Sequence, residues 1–199
     1  MKKFIVLACL AASVSLASGT AMADSIKGRV GVTGRVGFQV PADNNAEFGW
    51  GKNHTDTGLV GGGGLIYGID NNIAAEFDVT HSSFDSDFGD FGVTDLSIGA
   101  QYRFRSAQDR RLVPYLGVGI DILLTEYDPY DGASMDVDTA VGAHVSGGLD
   151  YFVAHNVAFN AELKGVLAPD TNITYQGAHT GNFDPSSFSG TVGIRYFFN

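Results

Sequence analysis

The chain has 199 residues, a net charge of −10 and only 17% charged side chains, with 27 glycines and 12% aromatics. So acidic a composition excludes a nucleic-acid partner, whose phosphates demand clustered Lys and Arg, and the length suits one domain. The single cysteine, Cys9, excludes a disulfide framework or a zinc thiolate site.

Met1-Lys2-Lys3 gives a positive start, Phe4 to Leu16 is mostly apolar, and small residues end in Ala21-Met22-Ala23 before Asp24. This layout predicts a secretory signal peptide over residues 1–23, cleaved after Ala23, followed by one domain over 24–199. A lipoprotein site at Leu7-Ala8-Cys9 fits poorly, because it would leave about five apolar residues against the usual ~7–15. After Ala23 no run of 18 apolar residues occurs, so no membrane-spanning helix is expected.

Alternation with period two then recurs eight times, each run predicting a strand with an apolar and a polar face. The first sets Val30, Val32, Val36, Phe38 and Val40 against Arg29, Thr33, Arg35 and Gln39. The second, about Gly58 to Gly68, aligns Leu59, Leu65 and Tyr67; the third opposes Ile73, Ala75, Phe77 and Val79 to Glu76, Asp78 and Thr80. The fourth sets Leu96, Ile98, Ala100, Tyr102 and Phe104 against Asp95, Ser97, Gln101 and Arg103. The fifth places Pro114, Leu116, Val118, Ile120, Ile122 and Leu124 opposite Tyr115, Gly117, Gly119 and Asp121. In the sixth, Val141, Ala143, Val145, Leu149 and Tyr151 oppose His144, Ser146 and Asp150. The seventh opposes Val157, Phe159, Ala161, Leu163 and Leu167 to Asn160, Glu162 and Lys164. The eighth opposes Phe188, Val192, Ile194, Tyr196 and Phe198 to Ser187, Ser189, Thr191 and Arg195.

Runs of about ten residues suit tilted strands crossing a bilayer. The connections alternate: Pro41–Asp56, Ser83–Gly92, Glu126–Asp138 and Pro169–Asp184 are long and polar, whereas Ile69–Asn72, Arg105–Arg111 and Val153–Asn156 are short. Long outer loops and short periplasmic turns belong to a meandering barrel. The expectation is therefore all-β, an eight-stranded antiparallel up-and-down transmembrane β-barrel in the outer membrane. Four strands also end in Gly-x-x-Tyr, at Tyr67, Tyr102, Tyr151 and Tyr196. With Phe104 and Phe198 they predict an aromatic girdle at the periplasmic interface.

Pro114-Tyr115-Leu116-Gly117-Val118-Gly119, Gly148-Leu149-Asp150-Tyr151-Phe152 and the closing Gly193-Ile194-Arg195-Tyr196-Phe197-Phe198 resemble the small outer-membrane barrel proteins, especially the OmpW-like and OmpA-transmembrane-like group. The resemblance spans the whole predicted mature chain. It implies insertion by the barrel-assembly machinery, a wall set in outer-membrane lipid and lipopolysaccharide, and, for an OmpW-like member, passage of small hydrophobic solutes. Such proteins usually end on an aromatic residue, whereas Asn199 follows Phe198 here.

The polar parity is expected to face the lumen. It carries Arg29, Arg35, Arg103, Lys164 and Arg195 with Glu76, Asp78, Asp95, Asp121, Asp150 and Glu162, and His144 among them. In a barrel scarcely wider than its side chains, charges must pair, since lone buried charges are costly. A lumen plugged by ion pairs is expected, with a gated polar pore as the competing reading.

Other patterns predict less. Gly61-Gly62-Gly63-Gly64 lacks the Gly-Lys-Ser/Thr of a phosphate loop. His81 and Ser83 share a lipid-facing parity with Asp85 and Asp87 nearby, the residue types of a lipid A-modifying esterase; a strand end entering a loop explains them better. Acidic residues at Asp85, Asp87 and Asp90, and at Glu126, Asp128, Asp131, Asp136 and Asp138, carry oxygens suited to divalent cations, but no calcium-loop pattern is met. No catalytic residue, resident metal or cofactor is expected. A structural or surface-interaction barrel is the expected function, ahead of a channel and of an enzyme.

Overall fold

A computed structural model describes residues 25–42, 46–48, 51–53, 55–86, 89–104, 111–130, 135–175 and 178–198. The predicted leader with Cys9 and its cleavage site, Asp24, Asp87, Asp131 and Asn199, and most of the predicted turn Arg105–Arg111, lie outside the described residues.

Thirteen strands form among the described residues: β1 (Val30–Pro41), β2 (Ala46–Phe48), β3 (Gly51–Asn53), β4 (Gly58–Gly68), β5 (Ile73–Ser86), β6 (Gly89–Arg103) and β7 (Leu112–Pro129), then β8 (Met135–Val137), β9 (Ala140–Ala154), β10 (Val157–Leu167), β11 (Thr171–Tyr175), β12 (Ala178–Phe183) and β13 (Ser187–Phe197). Eight of them close a ring in the order β1-β4-β5-β6-β7-β9-β10-β13, each antiparallel to its neighbours, with β13 returning to β1 from Gly31↔Phe197 to Pro41↔Ser187. The eight predicted runs are these eight strands.

The register fixes the barrel's shape. Starting at Val30, partners run through Tyr67, Ala75, Ala100, Val118, Val145, Gly165 and Phe188 and return to β1 at Val40. The offset from Val30 to Val40 makes the shear ten residues. With ~3.3 Å per residue and ~4.8 Å between strands, the strands tilt by about 40°. At that tilt Tyr67, Tyr102, Tyr151 and Tyr196 come within about 4 Å of one level, on the end that carries the short turns. All four are exposed, as are Phe104 and Phe198, and Tyr102–Phe104 and Tyr196–Phe198 meet edge to face at 5.0 and 5.1 Å. From that ring to Val40, Leu59, Leu124, Val141, Leu167 and Phe188 the outward apolar band is about 25 Å tall, the height such barrels present to a membrane.

One short turn shows how local chemistry seals this end. Asp70 accepts the backbone N–H groups of Asn72 and Ile73, both at 2.7 Å, an Asx turn that holds its carboxyl below the ordinary range.

The long polar loops expected at the other end are largely strand. Most of Ser83–Gly92 is paired as β5 and β6, which continue to Ser86 and from Gly89, and β7 runs on to Pro129. Alternation persists there but inverts. Asp85, Asp90, Glu126 and Asp128 point out, while Phe84, Phe91, Val93, Leu123 and Tyr127 point in and are buried. The reason is solvent: above the membrane the outside of the wall meets water, so apolar side chains turn to the interior.

Candidate functional site

Three layers fill the barrel. At the turn end Ile26, Ile66, Ala74, Val113, Phe152, Ala158 and Phe197 pack into an apolar floor, with Phe152 stacked on Phe197 at 5.7 Å. At the far end Phe91 stacks on Tyr127 at 4.3 Å and on Phe183 at 4.9 Å, within a roof that also holds Phe84, Val93, Leu123, Val166 and Ile173. The charged side chains of the polar parity therefore meet in the middle of the lumen, between two mainly apolar ends.

The middle layer brings the predicted charges together. Arg35 on β1 donates from Nη1 to Glu162 Oε1 at 2.7 Å, and from Nη2 to Asp78 Oδ1 at 2.7 Å and Glu76 Oε1 at 3.1 Å. Arg195 on β13 reaches Asp150 at 2.9 Å, Glu76 at 2.6 Å and Thr33 Oγ1 at 2.9 Å. Arg103 on β6 donates to the same Asp150 oxygen at 2.6 Å and to Gln101 Oε1 at 3.2 Å. A second cluster lies beside the first, where Lys164 Nζ donates to Asp95 and Asp121, both at 2.7 Å. His144 Nδ1 stands 2.9 Å from the Asp121 carboxylate. Arg29 is placed elsewhere: its guanidinium donates to the carbonyls of His155, Phe197 and Phe198 and lies over the Phe197 ring at 5.3 Å, at the turn-end rim. It precedes β1 and so closes the seam rather than joining the middle layer.

Three residues that alternation had turned inward complete the network without having been singled out. The Tyr115 phenol donates to Glu162 at 2.8 Å; Asn160 donates to Tyr115 Oη at 2.9 Å and to Asp150 at 2.8 Å; Gln101 donates to Glu76. Arg103 and Arg195 both lie over the Tyr115 ring, at 5.8 and 5.7 Å. Inward glycines make the room. A Cβ on Gly148 would stand 2.3 Å from Tyr115 Oη, one on Gly119 2.5 Å from His144 Cε1, and one on Gly64 2.0 Å from Asp78 Oδ1.

Among the described residues two small cavities border the ionic layer, one of about 10 Å³ beside Glu76, Ser97, Gln101 and His144. The other, between the ionic layer and the roof and bordered by Arg35, Asp95, Lys164, Ser189 and Leu123, gives water centres about 20 Å³, room for one or two waters. Arg35 Nε and Asp95 Oδ1 are buried beside it without a hydrogen-bond partner among the described residues.

Outside the lumen, His81 and Ser83 do come together, with Nε2 to Oγ at 3.3 Å. The orienting group on Nδ1 is Thr94 Oγ1 at 3.0 Å, a hydroxyl where a hydrolytic triad needs a carboxylate. Among the described residues no group of three or more His, Cys, Asp and Glu is placed to hold a metal ion.

The barrel is similar in fold to solved structures. The outer membrane protein OprG from Pseudomonas aeruginosa superposes with a TM-score of 0.67, 16% identity, over 88% of this chain and 100% of that one. The outer membrane protein AlkL in DMPC lipid bilayers gives 0.61 at 20% identity, covering 87% and 92%. Neisserial surface protein A gives 0.60 at 19%, covering 86% and 98%. Compared with curated protein sequences, the chain matches none. Its sequence matches the family described as outer membrane protein beta-barrel domain over residues 9–196.

Proposed function

The chain belongs to the outer membrane protein beta-barrel domain family of the outer membrane, and from that premise we propose that it is a sealed structural and surface-interaction barrel, neither channel nor enzyme. One observation carries this reading: among the described residues the lumen holds paired charges between two apolar layers, with water-sized cavities of about 20 and 10 Å³ beside them. Desolvated ions held at 2.6–3.1 Å by several partners do not part for a passing solute without a large penalty.

A route for apolar solutes through the wall would need an unpaired seam. Backbone pairing along β1 and β13 from Gly31 to Pro41, and along β9 and β10 up to Leu167, supports a closed wall in the membrane band. The hydroxyl on His81 Nδ1 supports the non-enzymatic reading. The proposed partners are outer-membrane lipid and lipopolysaccharide around the wall, the assembly machinery during insertion, and divalent cations at the acidic outer strands. The leader is proposed to be cut after Ala23, so intact mass of membrane-extracted protein should match a chain beginning at Asp24. Permeation tests the main proposal. Liposomes holding the refolded barrel should pass small sugars and small apolar dyes no faster than protein-free liposomes; faster passage of either would refute it.

A further inference from the structure

Among the described residues, the outer edge of the membrane-facing wall carries one polar group set among apolar side chains. His81 and Ser83 on β5 are exposed, Thr94 on β6 is half-buried, and the imidazole bonds both hydroxyls. Shear and tilt place His81 level with Phe188 and Leu59, and Ser83 and Thr94 level with Val40 and Val141, at the outer edge of the apolar band. On both sides the wall stays apolar at this level: Leu59, 80% exposed, is the backbone partner of Ser83, and Leu124 that of Thr94. Gly61 stands opposite His81 and Gly92 lies diagonal to it, so no side chain from either covers the ring. Lipid headgroups lie at this depth.

The hydrogen bonds define what would fit. A neutral imidazole has one donor and one acceptor nitrogen, so one hydroxyl donates to the ring and the other accepts from it. The donating hydroxyl keeps free lone pairs, and the accepting hydroxyl keeps its own proton. The trio thus offers an acceptor and a donor side by side toward the membrane surface. That pairing matches the hydroxyls of a sugar, which donate and accept alike. An anionic headgroup matches poorly, because Asp85, Asp90 and Glu126 point outward in the rows just above.

We propose that His81, Ser83 and Thr94 form a binding site for the uncharged, hydroxyl-rich headgroup of an outer-leaflet glycolipid. The site does not depend on whether the lumen conducts, so either claim can fail alone. The test is native mass spectrometry of folded barrel released from micelles doped with monoglucosyl diacylglycerol or with phosphatidylglycerol. Wild type should retain one glucolipid per barrel. His81→Ala and Thr94→Val should each lower retention about five- to tenfold, as the loss of a hydrogen bond or two implies, while Thr94→Ser should keep it. A heat-modifiable gel shift confirms that each variant is folded. Equal glucolipid retention by wild type and both disruptive variants, or preferential retention of phosphatidylglycerol by wild type, would overturn the assignment.

Discussion

Arg35→Ala is the most informative substitution in the lumen, because its partners depend on it unequally. Among the described residues, Glu76 keeps Arg195 and Gln101, and Glu162 keeps Tyr115, when Arg35 is lost. Asp78 has Arg35 as its ion-pair partner and is buried. Removing one member of a buried pair costs about 3–5 kcal/mol, a factor of roughly 100 to 5,000 in the folding equilibrium. Arg103→Ala should cost less, since Asp150 keeps both Arg195 and Asn160. Adding Asp78→Asn to Arg35→Ala should recover part of the loss, because the stranded charge is gone. Urea unfolding from lipid vesicles would rank the variants, in the order Arg35→Ala least stable, then the double variant, then Arg103→Ala. Indistinguishable midpoints for Arg35→Ala and wild type would show that water, not protein, solvates these carboxylates, and the reasoning would fail.

Gly148→Val should destabilise the barrel by about 1–3 kcal/mol, as overpacking does, because its side chain would enter the Tyr115 phenol held by Glu162 and Asn160; the urea midpoint measures it. Phe198→Ala removes part of an exposed ring at the turn-end rim while its backbone N–H still reaches Val30 at 2.7 Å. The loss, at most ~1.5–3 kcal/mol, should permit refolding in vesicles yet impair insertion in cells, read as heat-modifiable band in membranes; normal cellular levels would contradict this. Ser83→Ala should leave the acyl-chain number of lipid A unchanged by mass spectrometry, and a change would contradict the non-enzymatic reading.

Period-two alternation carried most of the fold, because in a membrane barrel each strand faces lipid on one side and side chains on the other. Tyr67, Tyr102, Tyr151 and Tyr196 marked the level of the turn end through their shared Gly-x-x-Tyr spacing. The same rule misjudged Ser83–Gly92 and Glu126–Asp138. There the outside solvent changes from lipid to water, so Asp85 and Asp90 sit on a strand's outer face and look like loop residues. Phe84 and Phe91 then fall on the parity that deeper in the barrel belongs to Asp78 and Asp95. The charged members of the lumen were legible, but their pairing was not. Alternation says that Arg35 and Glu162 point inward, whereas the shear and the glycines at 64, 119 and 148 decide which groups meet. Arg29 has lumen parity yet serves the rim, because it stands one residue before β1 and reaches the carbonyls that close the ring.

The central claim, that paired charges between apolar layers seal the lumen, is tested most directly by planar-bilayer recording of the refolded protein in molar potassium chloride. Wild type should give no current steps above the bare membrane. Arg35→Ala should give at most brief openings, if the stranded Asp78 draws water into the middle layer while the floor and roof stay packed. Sustained, reproducible unitary currents from wild type would contradict the account.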